Sequence, residues 1–205
     1  MITAIKMRQY WKKVCLAFMM GLLFSHMAWC NSSEAAERYT RGFKLYQYHI
    51  ENGASVADDP IPPAELGAFV AKRSEYKYRE AMIMIGMPAS PGRMFRAVGY
   101  LNVTQPSSYT IIVASEEDDV YGSIFANKKK AISGQKNPFV LTAPVHFSEP
   151  GKYEIDMRIY TNVDRELVIS ERTFCSRNAR FKFLIKTPDS DVPLPAHKVL
   201  LLPLE

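Results

Sequence analysis

From Lys152 to Thr161 the sequence KYEIDMRIYT alternates strictly: Tyr153, Ile155, Met157 and Ile159 fall on one face, Glu154, Asp156 and Arg158 on the other. A period of two is the signature of a half-buried antiparallel strand, one side packing a core and the other meeting water. Similar runs recur at close spacing: FRAVGYLNV (95–103), SYTIIVAS (108–115), YGSIFAN (121–127), FVLTAPVHF (139–147), ELVIS (166–170) and RFKFLIK (180–186). Gln105-Pro106-Ser107-Ser108 and Glu149-Pro150-Gly151-Lys152 read as turns between them. Seven or more such strands predict an all-β antiparallel sandwich or barrel. GFKLYQYHI (42–50), closed by Glu51-Asn52-Gly53, reads as a further strand, and DDPIPPAELG as a proline-bounded loop. Residues 64–73 are expected as a short helix and 80–86 as a strand, although apolar runs this short do not separate the two states.

The chain of 205 residues is long enough to bury a core without disulfides or metal. Its formal charge of +5 is misleading, because Lys6, Arg8, Lys12 and Lys13 precede the apolar stretch Val14–Ala28 with no acid among them. The other 22 basic residues face 21 acidic ones, so no clustered basic face argues for nucleic acid. Lys128-Lys129-Lys130 reads as a solvated turn.

A basic start, 15 largely apolar residues and small side chains at Ala28 and Cys30 together have the form of a cleaved signal peptide over residues 1–30. The apolar stretch is short for a bilayer span of about 20 residues. Membrane contact is therefore expected only through this segment if it is not cleaved. The expected location is secreted, periplasmic or at the cell surface. Cys30 is retained, lipidated or paired with Cys175, whose flanking pattern otherwise suits a buried inert thiol. Residues 31–41 read as a flexible segment, 42–186 as the sandwich, and 187–205 as a proline-rich tail whose patch Val199–Leu202 either docks by an extended strand or engages a partner. Asn31-Ser32-Ser33 and Asn102-Val103-Thr104 are glycosylation sequons, meaningful in a eukaryotic secretory path.

Recurrent catalytic signatures are absent: no GxSxG elbow, HExxH pair, GxxxxGK loop or GxGxxG appears. His49, His146 and His197 stand apart in the sequence, and the expectation is a chain without catalytic residues. Glu116, Glu117, Asp118 and Asp119 lie in succession between two apolar strands. Such a loop is either solvated or a cation site, since hard cations take several oxygen ligands and relieve the repulsion of adjacent carboxylates. Asn162, after the most regular strand and near Asp164 and Glu166, offers a neutral oxygen on a second loop.

The stretch FRAVGYLNVTQPSSYTIIVASEEDD, followed by SIFANKKKAI and VHFSEPGKYEIDMRIYTN, resembles the PA14 domain family in the order of its pieces, and GFKLYQYHI resembles that family's opening strand. The resemblance covers roughly residues 42–185 and implies a β-sandwich of two antiparallel sheets. It also implies, by likeness to the yeast flocculin and epithelial-adhesin lectins, a Ca2+ held by two consecutive aspartates joined by a cis peptide and by a following asparagine. Asp118, Asp119 and Asn162 match those positions, and the calcium would bind two hydroxyls of a terminal sugar. No tryptophan follows the signal segment, so Tyr121 or Tyr160 would supply the aromatic face. The expected function is a noncatalytic module binding a glycan. The alternative is a structural or assembly component of a surface apparatus, a pilus or secretion system, that binds a surface protein.

Overall fold

The computed structural model describes residues 38–83, 92–170 and 179–204. The signal-like segment, Asn31, Cys15, Cys30, Cys175, Trp11 and Trp29 lie outside the described residues, so expectations that rest on them lie there too.

Among the described residues the chain forms strands β1 (Tyr39–Arg41), β2 (Phe43–His49), β3 (Glu65–Ala71), β4 (Glu75–Lys77), β5 (Arg93–Val103), β6 (Ser107–Ser115), β7 (Val120–Ala126), β8 (Lys129–Gln135), β9 (Phe139–Phe147), β10 (Gly151–Thr161), β11 (Arg180–Lys186), β12 (Leu194–Pro195) and β13 (Leu201–Pro203). All pair antiparallel, in two sheets. The larger runs β1-β13-β5-β10-β7-β8, with β2 also on β5 and β3 on β2; the smaller runs β12-β11-β6-β9, with β4 on β11. β5 and β10 form the spine, in unbroken register from Gly151↔Val103 to Tyr160↔Met94.

The alternation read from the sequence becomes the core. Phe95, Ala97 and Leu101 of β5 and Ile155, Met157 and Ile159 of β10 face Ile111 and Val113 of β6, Phe139 and Leu141 of β9, and Phe181, Phe183 and Ile185 of β11. Phe181 is the aromatic hub, its ring centroid 4.9 Å from Tyr78 and Phe95, 5.6 Å from Phe183 and 5.9 Å from Tyr76. Offset and edge-on ring pairs at such spacings add specificity to the area they bury.

Four expectations change. Residues 64–73 hold strand β3 rather than a helix, because β2 offers its free edge to Phe43↔Ala71 and the pairs that follow. The expected strand at 80–86 is instead the end of a short helix, Tyr78–Ile83, with 84–86 outside the described residues. ELVIS forms only the isolated bridges Ser55↔Val168 and Val163↔Ile169. In the lysine run, only Lys128 lies in the turn, with Asn127; Lys129 and Lys130 open β8.

The ends of the chain are part of the sandwich. β1 occupies the last residues of the segment read as flexible, and the tail contributes β12 to one sheet and β13 to the other. The Gly42 amide donates to the Leu200 carbonyl over 2.9 Å. Leu200 itself is fully buried against Gly99, where an added Cβ would stand 3.0 Å from the Leu200 Cβ. His197 is tied to the Ser74 hydroxyl by its amide and by Nδ1, both at 2.9 Å. The tail therefore docks, by an extended strand.

The largest departure is on the outer face of the larger sheet. Asp156 and Arg158, expected in water, are buried, and so are Tyr121 and Tyr160. The stretch from Ile50 to Pro60 folds over this face, and Ile50 and Val56 pack with Tyr48, Met94, Tyr121, Tyr160, Val163 and Ile169 as a second core.

Candidate functional site

The acidic loop leaves β6 at Ser115 and crosses to β7, which starts at Val120 in the other sheet. β10 ends at Thr161, directly opposite Val120. The two loops therefore meet at one rim of the sandwich, and the Val163 amide donates to the Asp119 carbonyl over 3.1 Å. Asn162 stands between these contacts in the left-handed region at φ +60°, which asparagine tolerates better than most residues. Its carbonyl accepts the Ser170 amide at 2.8 Å, closing the turn on itself.

The acids differ in what they do. Glu116 is bound to β11, its amide donating to the Arg180 carbonyl and its Oε2 accepting the Arg180 amide at 3.0 Å. The Glu117 amide donates to the Ser115 hydroxyl, which also meets the Tyr78 hydroxyl at 2.8 Å. Asp118 is exposed and Asp119 half-buried. Asp164, close in sequence to Asn162, spends Oδ1 on the amides of Glu166 and Val168 at 2.9 and 3.1 Å, which makes it a turn former. Asp118, Asp119 and Asn162, the three oxygen-bearing side chains expected as ligands, thus stand on two loops that meet at this rim.

Two features depart from what the resemblance implied. Among the described residues the cis peptide bond is Asn137-Pro138, so the Asp118-Asp119 peptide is trans. Tyr121 and Tyr160 offer no ring face to a ligand: they are 3% and 0% exposed, 5.7 Å apart, and the Tyr160 hydroxyl donates to the Pro60 carbonyl at 2.8 Å. Burial raises both phenols above their ordinary value, and by a wide margin at Tyr160, where Arg158 opposes it. They belong to the cap beneath the rim because their positions on β7 and β10 point away from the main core, into the face that the 50–60 stretch covers.

That cap carries charges the sequence did not single out. Arg158 donates through Nε and NH2 to the Asp156 carboxylate, the latter at 2.7 Å, and through NH1 to the Asp59 carbonyl at 2.6 Å. Its ring neighbour is Phe125, 4.2 Å away. Burial pulls the Arg158 guanidinium down, but the hydrogen bonds and charge of Asp156 more than restore it. Arg96 reaches the same carboxylate at 3.0 Å, and Lys130 pairs with the Asp59 carboxylate at 2.5 Å. The only sequence signal for this cluster is DDPIPP, a stiff loop rich in carbonyls without competing amides.

Away from the rim, a groove of about 570 Å3 opens on the uncovered part of the same sheet face, lined by Tyr46, Val70, Arg96, Tyr100, Glu154 and Leu204 among others.

A scan against protein-family models and a search of curated proteins find no match. Solved structures do match. The PA14 domain of MpAFP antifreeze protein superimposes with a TM-score of 0.52 at 14% identity, over 83% of this chain and 95% of that one. The PA14 sugar-binding domain from an RTX adhesin gives 0.54 at 12% identity, over 78% and 98%. The fold is PA14-like. A PA14-like region within the β-glucosidase of Kluyveromyces marxianus, solved with glucose, matches at 0.51 and 12% identity, over 73% of this chain but only 17% of that enzyme. At these identities the likeness establishes the PA14-like architecture and leaves the chemistry to this chain's own residues.

Proposed function

We propose that this PA14-like domain is an exported, noncatalytic binding module whose rim holds one Ca2+ through Asp118, Asp119 and Asn162 and presents it to hydroxyls of a terminal sugar. The observation that carries the reading is the Val163 to Asp119 hydrogen bond, which brings Asn162 alongside the acidic loop although more than 40 residues separate them in the chain. The donor set suits the ion: two carboxylates and an amide are hard oxygen ligands, and calcium takes 6–8 of them. A bound calcium would supply a local positive charge that polarises sugar hydroxyls; the protein's part is to hold the three side chains at one place. Because the tyrosines are buried, sugar recognition rests on hydroxyl contacts at the ion. The basic-then-apolar N-terminus supports delivery outside the cytoplasm, and likeness to the sugar-binding PA14 domain of an RTX adhesin supports a glycan as ligand. The test is a glycan array probed in millimolar calcium and in chelator. Binding that appears only with calcium is expected; an empty array in calcium would overturn the reading.

The groove on the sheet face favours a second reading, a component of a surface apparatus that binds a protein. Its walls are largely apolar, Val70 and Leu204 are exposed beside it, and Arg96 and Glu154 offer opposite charges. Under that reading, Val70→Asp abolishes capture of the partner, and Asp119→Ala leaves it intact.

A further inference from the structure

We infer that Arg158 and Tyr160 are positioning residues for the rim: they latch the Asp59-Pro60 backbone onto the sheet, and through it hold the Asn162 turn against the acidic loop. The inference rests on the proposed calcium site for its functional consequence, but not for its structural content.

The coupling is a continuous chain of hydrogen bonds. Arg158 NH1 and the Tyr160 hydroxyl each hold one carbonyl of the loop, Asp59 at 2.6 Å and Pro60 at 2.8 Å. The loop then pairs with the 162–169 turn along its length: Gly53 N to Ile169 O at 2.8 Å, Val56 N to Leu167 O at 2.9 Å and Ile169 N to Ala54 O at 2.9 Å. That turn in turn holds Asp119 through Val163. No strand intervenes between loop and turn, so the turn's backbone leans on a loop that itself needs anchoring. Lys130 adds an outer fastening at the Asp59 side chain.

The anchors are suited to a fixed geometry rather than to stability alone. Three nitrogens of Arg158 are committed, two to Asp156 and one to the Asp59 carbonyl, and a planar fork held at each nitrogen has little freedom to shift. Asp59 itself sits at φ +52°, a left-handed conformation that a released loop need not keep. Outer residues that orient metal ligands typically change metal affinity about 10–100-fold when altered.

The experiment uses the full chain with Arg158→Lys, which keeps the charge beside Asp156 but lacks the fork, and Tyr160→Phe, which keeps the ring and removes only the hydroxyl. Amide hydrogen exchange without metal reads the turn, and a calcium titration reads the site. The expected result is faster exchange at Val163, Val168, Ile169 and Ser170 in both variants, with β5, β6 and β11 protected as in wild type, and calcium binding about tenfold or more weaker. Lys130→Gln, at an exposed side chain, gives a smaller change in the same amides. Unchanged exchange in the turn overturns the latch whatever the metal does, and faster exchange with unchanged calcium affinity overturns its role in positioning the ligands. If wild type takes up no calcium, the proposed metal site fails and the exchange data alone decide the latch.

Discussion

Val163 and Asp119 are joined by a backbone hydrogen bond of 3.1 Å across the start of β7, and this single contact brings the acidic loop and the Asn162 turn together at the rim. It follows from the register Thr161↔Val120, where β10 ends opposite the first residue of β7. An antiparallel pair must place the end of one strand beside the beginning of its partner, so the loops before β7 and after β10 share a rim by topology.

Replacing Phe181 by Ala removes the ring on which Tyr76, Tyr78, Phe95 and Phe183 converge. The expected loss is about 3–5 kcal/mol in denaturant unfolding at neutral pH. A loss below about 1 kcal/mol would mean the sheets do not close on this ring.

The tail is a structural element rather than an appendage, so Leu200→Ala should destabilise the whole domain by about 2–5 kcal/mol. Unfolding should remain a single transition. A variant as stable as wild type would show the last strand to be dispensable.

Gly122 has no room for a side chain, because an added Cβ would stand 2.5 Å from the Phe139 Cζ. Phe139 is fully buried between the sheets and has little space to yield. Gly122→Ala is therefore expected to lower the melting midpoint and, through overpacking, cost about 1–3 kcal/mol. An unchanged midpoint would contradict the close approach of β7 to β9.

Acidification should loosen the tail. Burial, with Lys198 nearby, holds the His197 imidazole below its ordinary value, so the unfolded chain binds that proton more readily than the folded one. The contribution is complete above about pH 6.5 and is lost as pH falls from there through the lower folded value. Comparing denaturant midpoints at pH 7.5 and 5.0 for wild type and His197→Gln isolates it: the wild type should lose more stability than the variant. Equal losses would remove His197 from the docking contact.

Much of this architecture was legible in the alternation of β5, β6, β9, β10 and β11, because one buried face imposes a period of two regardless of partners. Edge strand β3 was not, since Glu65–Ala71 buries no alternating face and its strand state is set by pairing with β2. The same limit hid the cap. Asp156 and Arg158 read as a solvent face, and nothing local to them announces that residues 50–60, a hundred positions earlier, will cover it. At the rim, Asp118 and Asp119 were expected on the loop after β6 and Asn162 on the loop after β10, and the structure places both loops together. The burial of Tyr121 and Tyr160 was not, because it depends on that same distant loop.

Thermal melting of the full chain in millimolar calcium and in chelator decides whether Asp118, Asp119 and Asn162 hold one calcium ion, as proposed. Calcium at a hundred times its dissociation constant should stabilise the fold by about 2.7 kcal/mol, raising the wild-type midpoint, and Asp119→Ala should abolish the difference. A wild-type midpoint that does not move between calcium and chelator would contradict the site, and with it a calcium-dependent sugar ligand.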